Sequence, residues 1–150
     1  MQIRNPRTGQ YDYVLSVDSK EQIQHKVAAL RKSQVAWNSA GLPHRIATLQ
    51  SWAAQLKTHQ EDIIQQLSHD TGRKGIARTE LGALLGLIQG WSFRAPQLYQ
   101  TAPRRPSSTN PTIFVEQQWI PYSVVGVISP WNFPLLLAVI DSIPALLAGA

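Results

Sequence analysis

The segment that most constrains the fold of this chain is residues 124–134, which read Val-Val-Gly-Val-Ile-Ser-Pro-Trp-Asn-Phe-Pro. Its first half is rich in β-branched residues, which is typical of a strand buried on both faces of a sheet. Pro130 and Pro134 then interrupt the run and enclose Asn132, and an apolar helical pattern continues over residues 135–150. A strand, a turn and a helix in this order place side chains at the carboxyl end of a sheet strand, so Asn132 is the first candidate for a functional residue.

Three helices are predicted before this segment. The first begins at the capping-box pattern of residues 19–22 and ends at Ala40-Gly41. The second begins at Pro43 and closes at Thr71-Gly72, and the third stops before Pro103. The faces predicted to point inward are Ile23, Val27, Leu30 and Trp37 in the first helix, Ile46, Leu49, Ala53, Leu56, Ile63 and Leu67 in the second, and Leu81, Leu84, Leu85, Ile88, Trp91 and Leu98 in the third.

The remaining segments are predicted to be extended. Residues 1–16 form a turn-rich lead-in with a short edge strand, and residues 101–111 form a proline-rich linker. Residues 112–120 alternate between polar and apolar side chains as a strand does. Helices followed by strands and a strand-turn-helix predict an α/β fold that is helix-rich and whose sheet is incomplete. Because apolar sequence continues to Ala150, we expect the chain to be a fragment of a larger domain.

Composition narrows the possible functions. The chain has 150 residues and no cysteine, which excludes disulfides, thiolate metal sites and a cysteine nucleophile within it. The net charge is +5, but the basic residues are scattered, so no nucleic-acid partner is expected. The apolar C-terminal stretch is too short for a membrane span and is interrupted by Asp141 and Pro144. The N-terminus has no apolar leader, so a cytoplasmic location is expected.

The histidines give no metal signal. None of them is spaced from another as ligands on one helix would be, so no metal site is expected. We interpret them as helix residues that face solvent. They are His25, His44, His59 and His69.

Several segments of the chain resemble the aldehyde dehydrogenase superfamily. Residues 124–134 contain Pro-Trp-Asn-Phe-Pro, a specific signature of that family, and residues 144–149 continue the likeness. Residues 5–9 resemble its opening Asn-Pro-x-Thr-Gly turn, residues 36–45 its Ala-Trp, Pro and Arg helix junction, and residues 70–74 its Glu-Thr-Gly-Lys segment.

This resemblance implies a domain organisation. Residues 1–150 would form a partial cofactor-binding domain, in which 101–123 are a linker and part of a β arm. The C-terminal strand-turn-helix would be the first such unit of a Rossmann-like dinucleotide-binding domain, and the catalytic domain would be absent. In the family the β arm serves oligomerisation, so a full-length form would be a homodimer or homotetramer.

The resemblance also implies a chemistry: oxidation of a small aldehyde to a carboxylic acid with NAD or NADP. In the family a cysteine thiolate attacks the aldehyde, hydride leaves to the nicotinamide, and a glutamate activates the water that hydrolyses the thioester. The resemblance assigns Asn132 to the oxyanion hole, where its amide would donate a hydrogen bond to the developing oxyanion. It assigns Ile128, Ser129, Pro130 and Trp131 to the wall of the cofactor cleft.

Two alternatives remain open at this point. Asn132 can be read as a cap of the helix that follows it, since Asn favours caps and turns. The chain can also be read as a non-catalytic truncated relative that acts at most as a helical interaction module. In either case the chain lacks the cysteine, the glutamate base and the cofactor-binding Lys and glycine segment of the family, so we expect it to be inactive alone.

Overall fold

The computed structural model describes all 150 residues, Met1–Ala150. Six helices carry most of the structure, and four short strands form two separate two-stranded sheets. The helices are α1 (Lys20–Ser39), α2 (Gly41–Thr58), α3 (Gln60–Thr71), α4 (Lys74–Leu98), α5 (Pro134–Val139) and α6 (Ser142–Ala148). The strands are β1 (Gln2–Arg4), β2 (Tyr11–Val14), β3 (Arg105–Pro106) and β4 (Phe114–Val115).

The start of α1 confirms the predicted capping box. The Ser19 hydroxyl accepts a hydrogen bond from the Gln22 amide at 3.2 Å, and the Gln22 side chain accepts one from the Ser19 amide at 2.7 Å. These two bonds satisfy donors that the first turn of a helix would otherwise leave unpaired.

The predicted second helix is wrong in one respect, because it is two helices. The chain breaks at His59, whose φ and ψ are −102° and 20°, and α3 begins at the next residue. The Thr58 hydroxyl bonds back to the Ala54 carbonyl at 3.1 Å, a contact that weakens the end of a helix. The predicted end at Gly72 is confirmed, since Gly72 closes α3 with a left-handed φ of 70°.

The hydrophobic core lies between α2, α4 and α6. Its eight buried residues are Leu49, Leu56, Leu81, Leu84, Ile88, Ala95, Ile143 and Leu147. The inward face of α4 is thus largely confirmed, except that Leu98 is 53% exposed. The predicted inward face of α1 is only partly correct, because Val27 and Trp37 are half-buried but Ile23 and Leu30 are more than half exposed.

Hydrogen bonds, rather than apolar packing, hold α1 to the rest of the chain. Trp37 donates its indole N–H to the Leu146 carbonyl at 2.9 Å, and Gln34 donates to the Gly149 carbonyl at 2.7 Å. Leu146 lies in the last turn of α6, where its carbonyl also accepts the Gly149 amide at 3.1 Å, and Gly149 is the residue that closes the helix. The end of α1 therefore covers the end of α6.

The N-terminal hairpin contains the predicted edge strand, with β2 antiparallel to β1. Its turn is organised by Asn5, whose Oδ1 accepts the amides of Arg7 at 2.8 Å and Thr8 at 3.2 Å. The Asn5 amide nitrogen lies 3.0 Å from Nε2 of His69 at the end of α3. His69 is an exposed helix residue, as predicted, and its ring also contacts the hairpin and so helps to dock it onto α3.

The predicted strand over residues 112–120 is reduced to β4. The partner of β4 is β3, which lies inside the segment that we predicted to be a linker. The ladder is two residues long, and Pro106, which lacks an amide donor, occupies one of its two paired positions. The Ser107 amide bonds the Ile113 carbonyl at 2.7 Å just beyond the ladder.

The predicted strand at the start of the 124–134 segment is not formed. Residues 124–128 pair with no other part of the chain, and Ile128 is fully exposed. Since a strand is defined by hydrogen bonds to a neighbour, β-branched sequence alone does not produce one. The helical pattern beyond it is also divided, into α5 and α6, and Pro144 lies in the first turn of α6, where proline is tolerated.

No helix is both long enough and apolar enough to cross a membrane.

Exposed apolar side chains predict the behaviour of the isolated chain. Large side chains including Ile120, Tyr122, Ile128 and Trp131 are more than half exposed, and residues 124–128 have no strand partner. Because such surface drives association, we expect the purified chain to aggregate or to be molten. Calorimetry and gel filtration test this expectation, which a soluble monomer with a sharp cooperative melt would contradict.

Candidate functional site

The candidate site is built around the turn that connects residues 124–131 to α5. Asn132 lies in this turn and is half-buried. Its backbone carbonyl accepts a hydrogen bond from the Arg73 guanidinium at 2.6 Å. Its side-chain amide makes no hydrogen bond within the chain, which leaves both N–H groups free to donate.

The reading of Asn132 as a helix cap is wrong. The N-cap position of α5 is Phe133, and no side chain caps the helix from there. A buried carboxylate from α4 takes that role, because Oε1 of Glu80 accepts the amides of Leu135 at 2.7 Å and Leu136 at 2.9 Å. Proline has no amide at position 134, and the Leu137 amide already bonds the Phe133 carbonyl at 3.0 Å. No donor in the first turn of α5 is left for Asn132.

Arg73 makes a second contact with the same turn. Its guanidinium carbon lies 5.0 Å from the centre of the Phe133 ring, within the range of a cation–π interaction. Arg73 directly follows Gly72, and its amide bonds the Thr71 hydroxyl at 3.2 Å. The left-handed glycine thus turns the chain so that Arg73 faces the Asn132 turn.

The four residues assigned to the cofactor cleft form an exposed run beside Asn132. Ile128, Ser129 and Pro130 are exposed, and Trp131 is 75% exposed. These four residues are neighbours only because they are consecutive in the chain. They lie on an open surface, and no other segment of the chain faces them to form a cleft. Their role at a cofactor stays a prediction.

An apolar groove lies elsewhere in the molecule. It measures about 360 Å³ and lies between α1, residues 123–125 and α6. Trp37, Val124 and Leu146 are among its lining residues, and neither Asn132 nor residues 128–131 reach it.

The chemistry available in this chain is that of a neutral hydrogen-bond donor. A primary amide with free N–H groups can stabilise an oxygen that gains negative charge, with no change of protonation state. The chain has no cysteine to act as a nucleophile, and no three acidic, histidine or cysteine side chains converge as metal ligands would.

Sequence reasoning missed Arg73 and Glu80 as site residues. A signal for Glu80 was present, because it shares a helical face with Ala77, Leu81 and Leu84, where an acidic residue requires a partner. Its side chain is only 2% exposed. Arg73 lies in the segment 70–74, which resembles Glu-Thr-Gly-Lys, but that local pattern does not predict its contact with Asn132.

Comparisons with known proteins agree with this architecture. A model of the aldehyde dehydrogenase family matches residues 1–150. The chain is 33% identical over 140 residues to the 4,4'-diapolycopene aldehyde oxidase of a Methylomonas species, a match that covers 85% of this chain and 24% of that protein. It is 27% identical over 148 residues to the 3-sulfolactaldehyde dehydrogenase of Pseudomonas putida, covering 98% of this chain and 30% of that protein.

Solved structures of aldehyde dehydrogenases superpose closely on this chain. The PutA protein of Anabaena variabilis superposes with a TM-score of 0.95 and 42% identity, covering 99% of this chain and 31% of PutA. The NAD-dependent benzaldehyde dehydrogenase of Corynebacterium glutamicum superposes with a TM-score of 0.89 and 26% identity, covering 99% of this chain and 32% of that enzyme. The chain thus spans less than a third of the length of these relatives.

The helices and the turn that follows them have the arrangement found in the N-terminal region of the aldehyde dehydrogenase fold. The chain belongs to the aldehyde dehydrogenase family.

Proposed function

We propose that this chain supplies part of the cofactor-binding domain and the oxyanion-hole donor of an enzyme that oxidises an aldehyde to a carboxylic acid with NAD or NADP. Asn132 is the donor, and residues 128–131 contribute to the cofactor cleft. The chain has no cysteine to form the thiohemiacetal and the thioester. The proposal therefore places the nucleophile, together with the glutamate that activates water, outside these 150 residues. A cytoplasmic location and a homodimeric or homotetrameric assembly belong to the same proposal.

One observation carries the proposal: the unpaired amide of Asn132 in the Pro-Trp-Asn-Phe-Pro turn of a family member. The turn is attached to α4 through the backbone of Asn132, so the side chain stays available. A fixed neutral donor that needs no reorganisation during the reaction is what an oxyanion requires.

A graft tests the proposal. This chain replaces the matching segment of the C. glutamicum benzaldehyde dehydrogenase, whose remainder supplies the missing groups, and a parallel graft is built in PutA. We expect the grafted enzyme to reduce NAD⁺ in the presence of benzaldehyde. A graft that folds and binds NAD⁺ but shows no turnover in either host would contradict the proposal and favour a non-catalytic helical interaction module.

The isolated 150-residue chain is expected to show no NAD(P)⁺-dependent oxidation of any aldehyde, because it has no cysteine to attack the carbonyl. The measurement is the formation of NADH or NADPH, followed by absorbance with a panel of aldehydes. The grafted enzyme is the positive control. Turnover by the cysteine-free chain would overturn the assignment of the missing nucleophile.

A further inference from the structure

Four contacts from α4 and the residue before it hold the Asn132 turn. Arg73 donates to the Asn132 carbonyl at 2.6 Å, and its guanidinium lies 5.0 Å from the Phe133 ring centre. Glu80 accepts the amides of Leu135 and Leu136 through a single carboxylate oxygen. The contacts thus hold the backbone of Asn132, the ring of Phe133 and the first turn of α5.

Arg73 and Glu80 reach one turn because both stand at the N-terminal end of α4. Arg73 is the N-cap residue, whose φ and ψ of −115° and 71° are not helical, and Glu80 lies in the second turn of the helix. The start of α4 therefore presents a cation to the Asn132 carbonyl and an anion to the first amides of α5.

The electrostatics of these contacts favour a fixed turn. The carboxylate of Glu80 is 2% exposed, and its negative charge faces the positive end of a helix. Hydrogen bonds to charged groups are stronger than those between neutral groups, and they lose more when one partner is removed. Pro130 and Pro134 restrict the backbone on either side of Asn132.

We propose that Arg73 and Glu80 are positioning residues for the Asn132 amide, which act on the reaction only by fixing where that amide points. The inference rests on the proposed function of Asn132. Neither residue needs to touch the substrate or the cofactor. A shift of about 1 Å in a catalytic group can cost on the order of 100-fold in rate, so a backbone clamp of this kind has a measurable effect.

A double-mutant cycle in the grafted enzyme tests the inference. Arg73→Ala and Glu80→Ala are each expected to lower kcat about tenfold, while KM and the Kd for NAD⁺ change little. Each change is then repeated in an Asn132→Ala background. If the two residues act through the amide, the further loss there is less than about twofold, because no amide remains to be misplaced.

Conservative variants separate positioning from folding. Glu80→Gln keeps an oxygen that can accept the Leu135 and Leu136 amides, so it should restore most of the kcat lost in Glu80→Ala. Arg73→Lys keeps a donor for the Asn132 carbonyl and should recover part of the loss. Arg78→Ala is the matched control, because Arg78 lies on α4 and makes only an exposed ion pair with Glu61 at 3.2 Å.

The outcomes distinguish this inference from the proposed function. If Asn132→Ala leaves kcat unchanged, the proposed function fails, and the positioning role fails with it. A second outcome is that Asn132→Ala lowers kcat severely, while Arg73→Ala and Glu80→Ala lower kcat by the same factor with and without the Asn132 amide. In that case the proposed function stands and the positioning role is wrong. Single variants with unchanged kcat would also overturn the positioning role.

Discussion

In the grafted enzyme, Asn132→Ala is expected to lower kcat by about 100- to 1,000-fold, the usual cost of losing one donor of an oxyanion hole. KM and the affinity for NAD⁺ should change little, because the lost hydrogen bond forms when the carbonyl oxygen becomes negative. The Asn132 side chain makes no hydrogen bond within the chain, so the substitution should leave the thermal midpoint nearly unchanged.

Two further variants sharpen this prediction. Asn132→Asp keeps the size of the side chain and replaces its donor by a negatively charged acceptor, so its loss of kcat should equal or exceed that of Asn132→Ala. Asn110→Ala is the matched control, because Asn110 lies in the β3–β4 turn, where its Oδ1 accepts the Thr112 amide at 3.0 Å. A control that lost activity as severely would contradict a specific role for Asn132.

Arg45→Ala is expected to be the most destabilising of the substitutions considered. Arg45 is only 7% exposed and donates to the Asn38 carbonyl at 2.9 Å and to the Leu147 carbonyl at 3.0 Å. It thereby ties the end of α1 to the end of α6. Its removal leaves the buried Leu147 carbonyl without this partner and removes the bond to Asn38, at a cost of about 3 kcal/mol in the free energy of unfolding.

Arg45 and its neighbour Tyr99 are partly withdrawn from solvent. Burial lowers the pKa of the Arg45 guanidinium, and burial raises the pKa of the neighbouring Tyr99, whose hydroxyl donates to the Pro144 carbonyl at 3.3 Å. The raised pKa keeps the Tyr99 hydroxyl protonated, so it remains a hydrogen-bond donor at neutral pH.

Thermal unfolding of the grafted enzyme measures the effect of Arg45→Ala. We expect the midpoint to fall by roughly 5 °C, given the size of the free-energy loss. Arg31→Ala, on the exposed surface of α1, is the control and should change the midpoint little. Equal midpoints for the two variants would show that Arg45 does not hold α1 and α6 together.

Features of this chain that depend on neighbouring residues could be predicted from its sequence. The capping box of α1 joins Ser19 and Gln22, three positions apart, and the left-handed end of α3 needs only Gly72. The signature around Asn132 is likewise a continuous run of residues. The cap and the helix end are determined by local hydrogen bonds and backbone sterics, which depend on the residue types at a few neighbouring positions.

Features that depend on distant partners could not be predicted in the same way. Residues 124–128 have strand-forming composition but pair with nothing in this chain, so composition alone misled the prediction. The contacts of Glu80 with Leu135 and of Arg73 with Asn132 join positions 55 and 59 residues apart. Only the packing of α4 against α5 brings these groups together. For this reason the sequence could not show that Glu80, and not the adjacent Asn132, caps α5.

The single-turnover rate of NADH formation by the grafted enzyme and by its Asn132→Asp variant tests most directly whether Asn132 is the oxyanion donor. With NAD⁺ saturating, we expect the variant to be slower by about 100-fold or more, with the same thermal midpoint and the same Kd for NAD⁺. Equal single-turnover rates would contradict the account. So would a slow variant whose thermal midpoint falls in parallel, because that result would assign Asn132 a role in folding instead of in the reaction.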